Sequence, residues 1–344
     1  TEMSSDFYWE SDAEHRLTQR GSADKNASTV LMFRQGAQIG ERRWEIPYLS
    51  PDDAGWRAHR AALDAHLPFH NFELSRLGAE GTERHISISG NPMFDESGAF
   101  KGYRGVGTDI TESKMAEAKI QRLTQFYAAL SQCNEAIVRC TSEEELFPRI
   151  CRAAVQNGGM KMAWIGKVEP ATRTIRFVAS FGDHANEYLQ EIEISADADS
   201  PLGRGPTGTA IRENQPVWID DFRHHPLTAP WHERGARFGW GASAALPLNQ
   251  NGAPVGVLSL YAGDVCAFDD AARQLLTEMA TDISFALDNF AHAVARDKSE
   301  KSLRAAEEQF RGLVEQSIAG IYIIQDGKLA YVNPRAADIV DQGS

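Results

Sequence analysis

The most constraining feature of this chain is a glycine-rich strand that leads directly into a charged helix. Residues 102–111 read GYRGVGTDIT, follow the hairpin pattern NPMFDESGAFKG, and continue as SKMAEAKIQRLTQFY. A strand that continues as a helix mechanically connects a folded domain to whatever follows it in the chain. We therefore expect Asp109, Ile110 and Thr111 to form a relay joint, with Thr111 capping a helix that begins near Glu112.

Length and composition predict a multidomain globular protein. The 344 residues suggest two or three domains, and 42% hydrophobic with 24% charged residues is typical of folded chains. No run of apolar residues is long enough to span a bilayer, and the N-terminus lacks a signal-peptide pattern, so we expect a cytoplasmic protein without membrane insertion. The formal charge of −13 disfavours nucleic acid as a partner.

The first part of the chain alternates short strands, small helices and longer strands. Strands are predicted at Phe7–Trp9, around Leu17, and at Phe69–Leu77, Thr82–Pro92 and Phe100–Asp109, with helical segments at Thr29–Phe33, Glu41–Ile46 and from Pro51 to Ala65. The blocks DFYWESDAEHRLT, GERRWEIPYLSPDD, FHNFELSR and GYRGVGTDITE follow one another in this region. In these blocks residues 1–112 resemble a PAS domain, which implies an antiparallel sheet with helices.

A second pattern begins after the charged helix. Apolar residues at threes and fours predict a helix over 114–139, and strands are expected at 160–169, 174–182 and 190–195. The blocks MAWIG, GRGPTGTAIRENQPVWIDD, PWHERGARFGWGASAALPL and GAPVGVLSLYAGDVCAFDDAARQLL come next in order. Residues 141–295 resemble a GAF domain in these blocks, with 113–140 as a linker and N-terminal helix.

The C-terminal part begins with a long helical pattern. Apolar residues recur at seven-residue intervals from Leu276 to Val294, and this pattern is interrupted by the charged run 296–301. It resumes at Leu303 with its heptad phase shifted by one residue. Residues 296–312 are therefore interpreted as a helical linker. The tail at 313–344 resembles the start of a second, truncated PAS domain. Because apolar seams with charged flanks need a partner, we expect a parallel homodimer through helices 114–139 and 270–317.

Motifs for catalysis are absent from the sequence. GRGPTG at 203–208 satisfies GxGxxG, but it follows the acidic stretch SADADSPL rather than a buried strand, which disfavours a dinucleotide site. There is no HExxH, Walker loop or CxxC pair, and no phosphoacceptor, GGDEF or EAL block. We expect no enzymatic activity and no metal site in this segment.

The expected ligand site lies in the second domain. The helix that starts near Pro206 presents backbone N–H groups and the hydroxyls of Thr207 and Thr209, which suit a small anion or cyclic phosphate. Aromatic and small polar residues complete an apolar box with few polar groups. They are Trp164, Asp221, Trp231, Trp240 and Ser243.

A cofactor in the first domain is the weaker alternative. His59 lies where haem-binding PAS domains place the iron ligand, and Trp44 and Trp56 could wall a flavin site. The same residues are also compatible with an ordinary aromatic core.

Together these patterns predict an α+β sensory fragment in the order PAS, helix, GAF, helix and start of PAS. It would bind a small ligand and relay the signal through dimeric helices to an output domain. Resemblance to such arrays suggests an output domain for cyclic-di-GMP synthesis or hydrolysis. The alternatives are the sensor region of a histidine kinase and a ligand-free dimerisation scaffold.

Overall fold

The computed structural model describes residues 7–21, 37–77, 82–190, 192–326 and 328–341. The chain divides into two compact units, residues 1–121 and 122–344. Both are α+β with antiparallel sheets. In the described parts of the chain, no helix combines the length and the apolar character needed to cross a membrane.

The first unit is built on a five-stranded antiparallel sheet in the order β2-β1-β5-β4-β3. Its elements are β1 (Phe7–Ser11), β2 (Leu17–Gly21), a 3-10 turn (Arg43–Glu45), α1 (Asp53–Asp64), β3 (Phe69–Leu77), β4 (Glu83–Phe94) and β5 (Phe100–Asp109). The Asp52 carboxylate caps α1 by accepting a hydrogen bond from the Gly55 amide at 2.8 Å. The helical segment expected at Thr29–Phe33 lies outside the described residues.

Aromatic residues fill the core of the first unit. Trp9 stacks on Phe69 with ring centroids 6.0 Å apart. Tyr103 is fully buried, and its hydroxyl donates to the Leu67 carbonyl at 2.8 Å. That bond satisfies the phenol and fixes the chain that leaves α1 against β5.

The joint after β5 is held by side chains with different roles. The Asp109 carboxylate accepts a hydrogen bond from the Thr111 amide at 2.9 Å. The Thr111 hydroxyl accepts from the His85 amide at 2.9 Å and donates to the His85 carbonyl at 3.3 Å, so it binds β4 and does not cap the helix. The Ile110 amide also donates to His85, at 3.0 Å. Helix α2 (Thr111–Arg139) thus starts while its first residue is still attached to the sheet.

The second unit contains a five-stranded antiparallel sheet in the order β7-β6-β10-β9-β8. The strands are β6 (Met162–Val168), β7 (Ile175–Gly182), β8 (Val217–Ile219), β9 (Ala242–Gln250) and β10 (Ala253–Ala262). Its helices are α3 (Glu143–Gln156), α4 (Ala185–Gln190), α5 (Pro206–Glu213), α6 (His232–Phe238) and α7 (Asp270–Glu315), with 3-10 turns at Pro201–Gly203 and Pro226–Trp231.

Apolar clusters cover both faces of this sheet. One cluster joins β6, β9 and β10 to α3, α7 and the C-terminal part of α2. The other contains Trp164, Tyr188, Trp240 and Tyr261 and lies under α4, α5 and the loop segments. Because side chains alternate along a strand, Leu258 and Leu260 enter the first cluster while Val257 and Tyr261 enter the second.

Helix α7 is continuous through the charged run 296–301, as expected for a helical linker, although the apolar pattern is interrupted there. The charged run forms i,i+4 ion pairs, Arg296–Glu300 at 3.8 Å and Lys301–Asp297 at 2.7 Å, which favour helix. Seven residues from Leu275 to Leu287 are buried in the domain core, namely Leu275, Leu276, Met279, Ala280, Ile283, Ala286 and Leu287, whereas Phe285 is 64% exposed. The early part of the expected dimer seam is therefore already occupied within the same chain.

Two other segments differ from expectation or extend it. The strand predicted at 190–195 is irregular beyond Gln190, and Ser195 makes only an isolated bridge to Thr174, although Ile192 and Ile194 are buried. The Ile194 carbonyl accepts a hydrogen bond from the Ile175 amide of β7 at 2.9 Å, so the segment pairs with β7 only over this short stretch. The tail forms a hairpin of β11 (Tyr322–Gln325) and β12 (Lys328–Val332), followed by α8 (Pro334–Asp341).

Candidate ligand site

A small cavity lies in the second unit between the sheet and α5, which we call the inner cavity. It measures about 20 Å³, room for about one water molecule. Strands β9 and β10 form its floor, and α5 with the 226–231 turn forms its walls. Its lining comprises Tyr188, Ile194, Gly205, Pro206, Thr207, Phe222, Thr228, Trp231, Ser243, Ala244, Ala245, Ser259 and Tyr261.

Hydroxyl groups supply the polar part of the inner cavity. Thr207 and Ser259 face each other across it, with their oxygens 3.5 Å apart. Ser243 is 4% exposed, and its hydroxyl has no hydrogen-bond partner among the described residues. The Thr228 hydroxyl is already committed to the Phe222 carbonyl, at 2.6 Å. Ser243 and the weakly bonded Thr207–Ser259 pair are therefore the groups that retain hydrogen-bonding capacity.

Two phenols form the deep end of this cavity. The hydroxyls of Tyr188 and Tyr261 lie 3.3 Å apart, and the Trp164 indole N–H donates to Tyr261 at 3.4 Å. Burial raises the pKa of Tyr188 well above its ordinary value and also raises the pKa of Tyr261. Both phenols therefore stay neutral at physiological pH and act as hydrogen-bonding groups, not as bases.

The N-terminus of α5 opens on the same cavity. Gly205 is the N-cap and Pro206 occupies the first turn, so the amides of Thr207 and Gly208 have no partner within the helix. Trp231 packs directly on Gly205, since a Cβ added there would lie 2.6 Å from the indole ring. Glycine at this position is what allows the ring to approach the start of the helix.

Trp231 also lines an open surface depression, which we call the outer groove. The indole lines both. The outer groove measures about 580 Å³ and is bounded by Gln190, Ile192, Glu193, Leu202, Pro230, Glu233 and Arg234. Displacement of this side chain would join the hydroxyl-lined cavity to a space of the size that organic ligands occupy.

The structure brings together Thr207, Trp231 and Ser243 from the expected site. Trp164 and Trp240 are buried beneath it, 0% and 1% exposed, in the aromatic cluster with Tyr261. Thr209 and Asp221 point elsewhere: Thr209 accepts a hydrogen bond from Arg212 at 3.2 Å, and the Asp221 carboxylate lies 2.7 Å from His224. The hydrogen bond from His224 lowers the pKa of Asp221.

Sequence reasoning missed the lining residues Tyr188, Thr228, Ser259 and Tyr261. Ser259 and Tyr261 were accessible to it, because they alternate with the buried leucines of β10 and so share the face of Val257. Tyr188 had no such signal, since it reaches the cavity from a short helix with no clear sequence pattern.

The candidate cofactor residues of the first unit form a packed aromatic cluster. The His59 ring stacks on Phe72 with centroids 3.7 Å apart, and Phe69 meets its edge at 4.6 Å. Trp56 packs on Phe72 at 5.5 Å, and Arg60 lies 4.9 Å from the Trp44 ring. Burial lowers the pKa of His59 to about 4, with smaller contributions from Arg43 and His15.

This cluster does not fit a haem or a flavin. The cavity beside His59 and Trp44 is about 20 Å³, whereas sites for organic ligands of that size measure about 300–1,000 Å³. In the ranges of the chain that the structure describes, no group of three or more His, Cys, Asp or Glu is placed to hold a metal ion.

Comparison with known families identifies residues 140–288 of the second unit. The model of the GAF domain family matches residues 140–288. This segment is a GAF domain. The inner cavity and the outer groove therefore lie within the GAF domain, as do β6–β10 and the first part of α7. No curated protein matches the chain at a significant level.

Solved structures similar to this chain include an enzyme and two GAF domains. Free methionine-R-sulfoxide reductase from Neisseria meningitidis, solved with its substrate, is 18% identical with a TM-score of 0.41, covering 49% of this chain and 91% of that chain. The GAF domain of nlh2 from A. aeolicus is 16% identical with a TM-score of 0.38, covering 49% and 96%. The GAF domain of a phosphoenolpyruvate-protein phosphotransferase from Coxiella burnetii is 13% identical with a TM-score of 0.40, covering 51% and 98%.

Proposed function

We propose that this chain is the cytoplasmic sensory region of a signalling protein, and that its GAF domain binds a small molecule through the inner cavity. The observation that carries the proposal is the position of Trp231, which closes a hydroxyl-lined cavity on one side and lines a large groove on the other. A ligand would enter from the outer groove, displace the indole, and place a polar group against Ser243, Thr207 and the start of α5.

The chemistry of the lining favours binding over catalysis. Among the described residues of the inner cavity, the polar side chains are hydroxyls and one indole, with no carboxylate, imidazole or thiol. Neutral hydroxyls and helix N-terminal amides bind an anionic or strongly polar group but provide no general base near neutral pH. Suitable ligand classes are cyclic nucleotides and small carboxylates, and the role of the region is regulatory.

Thermal denaturation of the full chain tests this proposal, with cyclic AMP, cyclic GMP and succinate as probes. A ligand of this site should raise the melting temperature, and Thr207→Val should abolish the shift because it removes a lining hydroxyl. Thr209→Val is the matched control: it changes the same residue type on the same helix, but Thr209 bonds Arg212 and does not line the cavity. Equal loss in both variants, or no shift with any probe, would contradict the proposal.

The first unit is proposed to be a PAS domain. The residue blocks quoted above support this, as does the order of elements, with two strands, short helices and then three strands leading into α2. The relay would run through the joint at Asp109, Ile110 and Thr111, where β5 passes into the helix. The tail after α7, with its hairpin and α8, would be the start of a further PAS domain.

The proposed partner is a second copy of the chain. Beyond the part of α7 that the GAF core buries, Leu303, Phe310 and Leu313 are each at least 61% exposed and recur at coiled-coil spacing. Met115 and Tyr127 are exposed apolar residues on α2. A parallel pairing would keep both sensory domains in register, so light scattering should give twice the chain mass. Phe310→Lys should dissociate the dimer and Gln309→Lys should leave it intact.

The proposed output domain rests on the resemblance of this chain to multidomain signalling proteins. Cyclic-di-GMP synthesis or hydrolysis is the proposed output and a histidine kinase the alternative. A ligand-free dimerisation scaffold is the competing role. It would be favoured if the dimer forms and Phe310→Lys disrupts it while no probe shifts the melting temperature.

A further inference from the structure

A second cavity, in the first unit, is surrounded by arginines. It measures about 60 Å³ and is lined by Arg20, Arg43 and Arg76, together with the Tyr48 ring. We call it the arginine cavity. Its remaining described lining is Ala37 and six larger apolar side chains, Phe7, Trp9, Leu17, Leu74, Ile86 and Ile88. No acidic residue belongs to this described lining.

The side chain of Arg43 lines this cavity and stacks on an aromatic ring. Its guanidinium lies 3.8 Å from the Trp9 ring centroid, a cation–π contact. Among the described residues, no carboxylate, carbonyl or hydroxyl accepts a hydrogen bond from the Arg43 side chain. Burial lowers its pKa to about 10. A guanidinium carries five N–H donors, and those of Arg43 have no acceptor among the described residues.

The neighbouring arginines add positive charge to the same space. Arg76 is 5% exposed, and burial lowers its pKa, with Arg20 lowering it further and Tyr48 and Asp109 raising it. The Arg20 guanidinium donates to the Ala37 carbonyl at 3.0 Å and to the Gln38 side chain at 2.9 Å. Asp109 is the acid whose charge acts on Arg76, and it lies 3.8 Å from a further arginine, Arg84. The described lining of this cavity therefore contains three arginines and no carboxylate.

We infer that the arginine cavity binds a small monocarboxylate with a short apolar tail. A carboxylate accepts parallel hydrogen bonds from a guanidinium fork, and the Arg43 guanidinium has no such acceptor among the described residues. The apolar side chains then cover the tail. Since a water molecule needs about 10–15 Å³ in such a cavity, a volume of about 60 Å³ holds about four to six non-hydrogen atoms, as in acetate, propionate or butyrate.

Isothermal titration of the full chain at constant ionic strength tests this inference. Propionate should bind, while propan-1-ol, propylammonium and octanoate should not, because they lack the charge, reverse it or exceed the volume. Arg43→Gln should weaken propionate binding by about tenfold or more, since it removes a charge-assisted contact. Arg57→Gln, an exposed arginine on α1, should change the affinity by less than about twofold.

Chemical modification of the unaltered chain gives a second measurement that does not depend on the folding of a variant. Propionate should slow the reaction of phenylglyoxal with Arg43, mapped by peptide mass spectrometry, and leave Arg57 unaffected. The inference is overturned if propionate does not bind, if Arg43→Gln binds it normally, or if propionate does not protect Arg43 from phenylglyoxal. The GAF proposal is tested separately, because Thr207→Val should not alter propionate binding in the first unit.

Discussion

Replacing Gly205 by alanine should move the Trp231 ring away from α5. An added Cβ would lie 2.6 Å from two ring carbons of Trp231, whereas carbon atoms in contact prefer about 3.5–4.0 Å, so the ring must shift by about 1 Å. Overpacking of this kind costs about 1–3 kcal/mol. Reduced freedom of the unfolded chain returns about 0.4–1 kcal/mol. We expect a net destabilisation of about 1–2 kcal/mol. Each kcal/mol should lower the melting temperature by about 2–4 °C.

Fluorine NMR reports the ring movement directly. The chain has 7 tryptophans, so protein labelled with 5-fluorotryptophan should give resolvable signals, and Trp231→Phe assigns the relevant one. Gly205→Ala should shift that signal toward the solvent-exposed position and leave the buried Trp164 signal unchanged. Gly312→Ala is the control: its Cβ meets nothing within 4 Å, and in a helix it should stabilise by about 0.5–1 kcal/mol. An unmoved Trp231 signal with unchanged stability would refute the reasoning.

Three further predictions concern buried or bonded side chains. Because burial lowers the pKa of His59 to about 4, from 6.5, its contribution to stability is complete above pH 6.5 and is lost as the pH falls toward 4. Urea unfolding should show this as a loss of up to about 3 kcal/mol, which His59→Phe removes; an identical pH profile in the variant would contradict it. Thr111→Ala should cost about 1 kcal/mol by breaking both bonds to His85, and Thr111→Ser should restore it; equal stability of all three proteins would argue against the joint described here. Iodoacetamide should alkylate exposed Cys266 in the native protein but not Cys133, whose thiol is buried with its pKa raised to about 12; early labelling of Cys133, measured by mass spectrometry, would contradict the packing of that face.

Local signals in the sequence located most of the regular structure. Glycine and aspartate turns at 95–98 and the Pro51-Asp52 start signal bounded β4, β5 and α1 closely, because these residues determine backbone conformation locally. The prediction of a strand at 190–195 was wrong because it relied on the burial pattern and not on a local backbone signal. Alternating isoleucines report burial, and only a neighbouring strand converts burial into a sheet.

Only part of the candidate site was visible in the sequence. Thr207, Trp231 and Ser243 were predicted because a helix start and small polar residues in an apolar strand are local features. The role of Trp231 in bordering both the inner cavity and the outer groove was not predicted, since it depends on contact with Gly205, a residue 26 positions away. The arginine cavity was missed entirely because Arg20, Arg43 and Arg76 come from separate elements, and no spacing in the sequence predicts their approach.

The continuity of α7 has a mechanical consequence. Its first half is part of the GAF core, while the helix continues without interruption from Leu287 to Glu315, a length of about 42 Å at 1.5 Å per residue. Such a rod works as a lever arm: a tilt of about 5° at the buried end would displace the far end by about 4 Å. A small change in side-chain packing around Leu287 would thus move Glu315 by a distance comparable to one helical turn.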